Sequence, residues 1–177
     1  MRAFAAVLFE PDVADRIMSA VGRLESAALR GRFTPRENLH LTLAFLGEID
    51  RPDLAELAIR EAAGKPFLLT LEGCGRFPKR GGDVLWLGVR QNEALVNLQA
   101  RLCDRLRAAG FALEDRPYVP HITLGRQVVL PPVYDIEALA IPVLSQQVER
   151  IYLMESTRVE ERLRYLPRAA VKLTGQG

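Results

Sequence analysis

The chain has 177 residues, 49% of them hydrophobic and 26% charged, with a formal net charge of +2 at pH 7. That length fits one domain, or one domain built from two similar halves, and is long enough to bury a sizeable core. No apolar run approaches the roughly 20 residues that cross a bilayer, and a charge of +2 does not by itself argue for nucleic acid. The N-terminal MRAFAAVLFEPD sets a basic residue before a short apolar run, but it has no small-residue cleavage site and leads into an acidic, helix-opening segment. It therefore reads as a first strand and not as a signal peptide, with a cytoplasmic location and no membrane partner expected. Cys74 and Cys103 lie far apart, without a CxxC pair or a nearby histidine, and read as buried free thiols. Of the 24 basic residues 21 are arginine. The arginine fork matches phosphate oxygens, although composition or surface preference accounts for most of them.

In chain order, residues 3–9 alternate weakly as a strand. After Pro11 the apolar positions Val13, Ile17, Ala20, Val21, Leu24 and Ala28 follow helical spacing. Residues 39–46 form a period-2 strand closed by Gly47. A second helix begins at Asp50-Arg51-Pro52, with Asp50 expected to cap and Pro52 tolerated in the first turn. Strands follow at 66–72 and 83–89, separated by Arg80-Gly81-Gly82-Asp83. Leu95, Leu98, Leu102, Leu106 and Ala109 mark a third helix that Gly110 ends. A short strand is expected at 111–115, another at 120–126, a loop around Pro131-Pro132, and closing strands at 147–155 and 165–173. With no linker or shift in composition, the pattern is α+β, mainly antiparallel strands with helices packed outside.

The chain has two histidines, and each opens a version of one tetrapeptide: His40-Leu41-Thr42-Leu43 and His121-Ile122-Thr123-Leu124. Random placement would give both histidines Thr at +2 and Leu at +3 about 3 times in 100,000. On a strand, His and Thr share one face while the aliphatic residues share the other and anchor the strand to a core. One motif strand in each half of the chain brings two histidines and two threonines to one cleft if the halves pack face to face. Imidazole titrates near pH 6.5, so one neutral ring can take a proton from water while one cationic ring gives a proton to a leaving oxygen. The threonine hydroxyls can donate to non-bridging phosphate oxygens. A lone strand histidine is ordinarily structural, and a lone strand threonine reflects β-propensity; repetition of the pair favours chemistry. Zinc is the competing chemistry, but it normally needs at least three protein ligands, and threonine is a poor one. No metal or other cofactor is expected.

HLTL and HITL resemble the paired HxTx motifs of the 2H phosphoesterase superfamily, and their surroundings resemble its RNA 2′,3′-cyclic phosphodiesterase, or 2′-5′ RNA ligase, branch. FTPRENLHLTLAFLGEID is similar to that branch's first motif, FPKRGGDVLWLGV to its central hairpin, FALEDRPYVPHITLGR to its second motif, and IYLMESTRVEERLRYLPRAAVKL to its closing strands. The resemblance implies one bilobal domain over residues 1–177: two similar lobes, each a mainly antiparallel sheet with outer helices, around a central cleft bearing both motifs. It implies hydrolysis of an RNA terminal 2′,3′-cyclic phosphate to a 2′-phosphomonoester, with His40 as proton donor and His121 as proton acceptor. Thr42 and Thr123 would hold the phosphate, and Arg126 would help. Partners would be RNA with such an end, tRNA fragments among them, or cyclic nucleotides, met by a monomer. Reverse 2′-5′ ligation follows from reversibility and family precedent.

The chain departs from the family at Phe33, where relatives often carry Trp, and after Glu155-Ser156, where the glycine usual in the closing segment is missing. Phe33 and Tyr118 are the candidates for stacking on a base, against a packing role for each. Arg126, trailing the second motif, is expected at the phosphate face if the strand alternation continues past Gly125. Trp86 reads as core. Arg76, Lys79 and Arg80 read as a solvated loop or a guide for an RNA strand. Two readings of other classes stay open. One is a nucleotide- or RNA-binding module without catalysis; the other is a phosphodiesterase for a small-molecule cyclic phosphate, since both motifs address only the phosphate.

Overall fold

The computed structural model describes residues 1–175, so the last two residues of the expected domain lie outside the described residues. In chain order it has β1 (Arg2–Val7), α1 (Pro11–Ala27), β2 (Arg30–Phe33), β3 (Leu41–Glu48), α2 (Pro52–Ala62), β4 (Phe67–Phe77) and β5 (Asp83–Val89). There follow α3 (Glu93–Ala108), β6 (His121–Val129), β7 (Leu144–Val148), β8 (Arg150–Val159) and β9 (Arg162–Lys172), with short 3-10 turns at Arg36–Asn38 and Ile136–Leu139. The strands form two sheets, ordered β3-β1-β8-β9 and β2-β6-β5-β4-β7. Every strand pair is antiparallel.

The fold is α+β as expected, and each sheet carries one motif. The sheets are not successive halves of the chain, however. The four-stranded sheet joins β1 and β3 to β8 and β9 from the far end, while β2 crosses to pair with β6. Gln146, on β7, helps hold this interleaving together. Its side chain is buried, donates to Leu8 O at 3.0 Å and accepts from Glu10 N at 3.0 Å, so a buried amide is satisfied while it ties the β1–α1 connection to the five-stranded sheet.

The helices follow their apolar stripes. α1 opens with Pro11 in its first turn and buries Val13, Ala14, Ile17, Ala20, Val21 and Leu24. α3 is capped by Asn92, whose side chain accepts from Leu95 N, and Gly110 follows it at φ 94°, the left-handed geometry of a helix stop. For α2 the expected Asp50 cap is replaced. Arg51 holds the cap position without capping through its side chain and grips Asp53 at 3.0 and 2.7 Å, in the turn where a carboxylate meets the positive end of the helix. The strand expected at 111–115 does not form. Phe111 N closes α3 on Leu106 O, and Phe111 and Leu113 pack on the core instead of pairing in a sheet.

One buried apolar cluster runs through both sheets and includes Leu41 and Leu43 of β3 and Ile122 and Leu124 of β6, so both motifs are anchored as their alternation requires. Trp86 lies outside that cluster. It pairs with Thr123 across β5 and β6, on the face opposite the core residues Leu85 and Leu87, and stacks on Phe77 at 5.3 Å. Cys103 is buried, Cys74 only half-buried, and both thiols are free. Among the described residues no helix is long and apolar enough to cross a membrane.

Candidate active site

β3 and β6 belong to different sheets yet approach each other, and their polar faces line adjoining cavities. One cavity, about 400 Å³, takes His40 from the first motif and Thr123 from the second, together with Phe33 and Arg126. Its neighbour, about 340 Å³, takes Thr42 and His121, together with Phe45, Phe77 and Tyr118. A third, about 610 Å³, adjoins the first through His40 and Arg126. These volumes fall in the range of small-ligand sites, roughly 300–1,000 Å³. All seven residues singled out by sequence thus line this group of cavities.

Each histidine is oriented by a backbone carbonyl two residues upstream. His40 Nδ1 lies 2.7 Å from Asn38 O, and His121 Nδ1 2.7 Å from Val119 O. A carbonyl only accepts, so each neutral ring carries its proton on Nδ1 and turns the Nε2 lone pair outward. His40 Nε2 then accepts from the Thr42 hydroxyl at 2.9 Å. His121 Nε2 has no hydrogen-bond partner among the described residues. Aromatic rings wedge both imidazoles: Phe4 and Tyr165 at 4.9 and 5.1 Å from His40, and Phe77 edge-on at 5.0 Å from His121.

Arg126 reaches the site by a route different from simple alternation. It stands three residues past Thr123, so continued alternation would turn it toward the leucine face, and the expectation that alternation alone carries it to the phosphate face does not hold. The pairing slips instead: Trp86 pairs with Thr123 but Leu85 with Gly125, inserting one extra residue into β6. Leu124 and Gly125 are consequently both buried, and Arg126 emerges on the polar face. A second slip follows, with Asp83 opposite Val128 and Arg30 opposite Val129, where Gln127 adopts φ 52°. β3 repeats the first bulge. Ala6 pairs with Thr42 and Ala5 with Ala44, Leu43 and Ala44 are both buried, and Phe45 emerges. Arg126, from the second motif strand, thereby lies beside His40, and Phe45, from the first, shares a cavity with His121.

The two motif strands are also braced across the molecule. The Thr34 hydroxyl donates to Thr123 O and the Tyr118 hydroxyl to Thr42 O, each at 2.8 Å. Each donor comes from the segment leading into the other motif. Burial pushes the Tyr118 hydroxyl's pKa upward, which keeps it a donor. Asn38, 4% exposed, donates to Leu163 O and accepts from Tyr165 N while its own carbonyl holds His40. It fastens the β9 strand, with Tyr165, against the first histidine.

Burial lowers the proton affinity of His40 below the ordinary 6.5; the Asn38 carbonyl opposes this, and the positive charges of Arg126 and His121 add to it. Among the described residues no group of three or more His, Cys, Asp or Glu comes together to hold a metal ion.

Residues 9–160 match the sequence model of the 2′-5′ RNA ligase superfamily. The chain belongs to that superfamily. Its relatives include the RNA 2′,3′-cyclic phosphodiesterase of Thermotoga maritima, 33% identical over 164 residues, which are 89% of this chain and 87% of the relative. The Escherichia coli K12 protein of the same name is 36% identical over 146 residues, 77% of each chain. The crystal structure of E. coli LigT complexed with 3′-AMP superposes with a TM-score of 0.81 at 30% identity, over 98% of both chains. Membership in the 2′-5′ RNA ligase superfamily agrees with the resemblance carried by HLTL and HITL. The missing glycine of the closing segment does not open the β8–β9 hairpin: the ladder runs to Val159 opposite Arg162, and Glu160 and Glu161 take φ 50° and 63° at its tip.

Thr34, Asn38, Phe45, Phe77 and Tyr165 were not singled out by sequence reasoning. Asn38 alone had a local signal, being a polar residue two places before a motif histidine.

Proposed function

We propose that this chain hydrolyses the 2′,3′-cyclic phosphate at an RNA end to a 2′-phosphomonoester, without a metal ion. What carries the reading is the crossed lining of the two cavities, which gives a phosphate seated between β3 and β6 one histidine and one threonine on each side. His121, with its Nε2 lone pair open, takes a proton from the attacking water. The new P–O bond forms as the bond to O3′ breaks, and O3′ receives the proton carried on His40 Nε2. His40 is thus left neutral and His121 protonated, and exchange with solvent resets them.

His40 must gain a proton before it can give one. Burial chiefly lowers its proton affinity and the positive charges of Arg126 and His121 add to this; an anionic phosphate beside Arg126 offsets those charges. Once Nε2 carries a proton it no longer accepts from Thr42, and that hydroxyl is released to donate to a phosphate oxygen, as Thr123 does from the other strand. Arg126 supplies a charge-assisted bond to the same group. Phe33, open to the cavity of His40 and Thr123, stacks on the terminal base, while Tyr118 serves as a brace through its bond to Thr42 O. The reverse reaction, joining ends through a 2′-5′ linkage, uses the same groups in opposite order.

The depressed proton affinity of His40 favours a second reading with the two roles exchanged. A substrate whose 3′ leaving atom is sulfur needs no protonated donor. It should restore turnover to His40→Ala and not to His121→Ala; the opposite pattern exchanges the roles. The parent activity is tested by incubating a short RNA with a 2′,3′-cyclic end in EDTA. A 2′-monophosphate is the expected product, a 3′-monophosphate would mean that the other oxygen leaves, and absence of any product would overturn the proposal.

A further inference from the structure

Twelve arginines of the chain either hold a glutamate or aspartate or line the cavity of His40 and Thr123 without doing so, and they separate into two groups. Arg36, Arg51, Arg60, Arg76, Arg90, Arg116, Arg164 and Arg168 each hold a carboxylate. The cavity of His40 and Thr123 also gathers Arg32, Arg126, Arg158 and Arg162, none of which is paired with a carboxylate among the described residues. The acidic groups facing them there are Glu37, already engaged by Arg164, and Glu161. The cavity of Thr42 and His121 is different, with Lys79, Arg116 and Glu114, the last two paired with each other.

The unpaired set is held where folding alone disfavours it. Arg32 stands directly opposite Arg126 across β2 and β6, a like-charge pair that costs stability. Arg158 and Arg162 lie at the tip of the β8–β9 hairpin, where Val159 and Arg162 close a two-residue turn whose geometry Asn-Gly ordinarily supplies, built here from Glu160 and Glu161 in the left-handed region. Arg158 clasps the turn by donating to Glu161 O at 3.1 Å. Backbone strain of this kind persists where the surroundings hold it in place, and often at ligand clamps. Phe33 and Tyr165 offer aromatic faces in the same cavity. A cationic groove interleaved with aromatic faces is the combination that binds single-stranded nucleic acid.

We propose that Arg32, Arg158 and Arg162 form a track for the phosphates of single-stranded RNA upstream of its reacting end, with the β8–β9 tip as one wall. This rests on the cyclic phosphodiesterase reading for the position of that end. Arg76, near the glycine-rich turn, is bound to Asp83 and does not belong to the track.

The test compares an RNA hexamer ending in 2′,3′-cyclic phosphate with a nucleoside 2′,3′-cyclic monophosphate, which has no upstream phosphate. Arg158→Ala/Arg162→Ala should lower kcat/KM on the hexamer about tenfold at ~0.1 M salt, and flatten its log–log salt dependence by about 1.4. The mononucleotide should change less than about twofold. Arg158→Lys/Arg162→Lys should recover most of the loss, and Arg51→Ala/Arg60→Ala, on the far helix, should behave as wild type. Equal losses on both substrates, or no loss on either, would overturn the track. Binding of a hexamer ending in 2′-phosphate, followed by fluorescence anisotropy, reads the track without turnover. If the wild type hydrolyses neither substrate, the activity proposal fails, while weaker hexamer binding by the alanine variant still supports the track and unchanged binding overturns it.

Discussion

β3 and β6 are two copies of one device. Each has a carbonyl beneath Nδ1, an aliphatic pair in the core, a bulge just past the threonine, and a side chain from the opposite segment bonded to the threonine carbonyl. They differ in what surrounds them. His40 sits between Phe4 and Tyr165 with Thr42 on its Nε2, whereas His121 touches Phe77 and keeps Nε2 open. The residue that emerges after the bulge is Phe45 in one strand and Arg126 in the other, and each serves the other strand's cavity. Repetition builds a symmetrical cradle; neighbours drawn from elsewhere make its two sides chemically unequal.

The strongest way to break the comparison is to remove either ring. His40→Ala and His121→Ala should each lower kcat by roughly 10²–10⁴ with the circular dichroism spectrum unchanged; full activity in either variant would end the two-histidine account. Arg126→Gln sharpens it next. The variant should lose the proposed charge-assisted bond to phosphate, worth roughly 1.5–3 kcal/mol, and with the positive charge gone His40 should hold its proton to higher pH. The limb of the pH–rate profile that reports the protonated donor should therefore move upward, and an unmoved limb would show that Arg126 does not act on His40.

The braces test whether the two copies are mechanically equivalent. Tyr118→Phe and Thr34→Val should each destabilise the protein by about 1–3 kcal/mol in denaturant unfolding, since each leaves a carbonyl without its donor. A large inequality would mean that one strand is held by other means. The smallest effect is in stability against pH. Because His40 binds its proton less readily folded than unfolded, the unfolded chain takes up more protons below about pH 6.5, and stability falls as the pH drops through that window. His40→Asn should flatten this acid slope in thermal melts.

Local spacing made much of this legible. The 2-residue alternation of HLTL and HITL correctly assigned Leu41, Leu43, Ile122 and Leu124 to the core, and helical spacing located α1 and α3. Arg126 was named for the right cavity by the wrong geometry, because a bulge is a matter of register against β5 and β2 and leaves no mark in β6 itself. Trp86 was misread since an apolar run does not say which face of the sheet looks toward the site. The braces had no local signature at all: Tyr118 and Thr42 are 76 positions apart, Thr34 and Thr123 89. β2 and β7 are short edge strands whose pairing depends on partners far along the chain.

The interleaved strand order has a consequence for how the protein comes into being. The sheet that carries His40 is finished by β8 and β9, and Tyr165, which walls the His40 ring, arrives with the last strand. A nascent chain halted after β6 already contains both motifs but lacks that wall and the Asn38 clasp onto β9. Such long-range pairings form late and slowly. Incomplete translation products carrying both tetrapeptides should therefore be inert, and activity should appear only when the two ends of the chain meet.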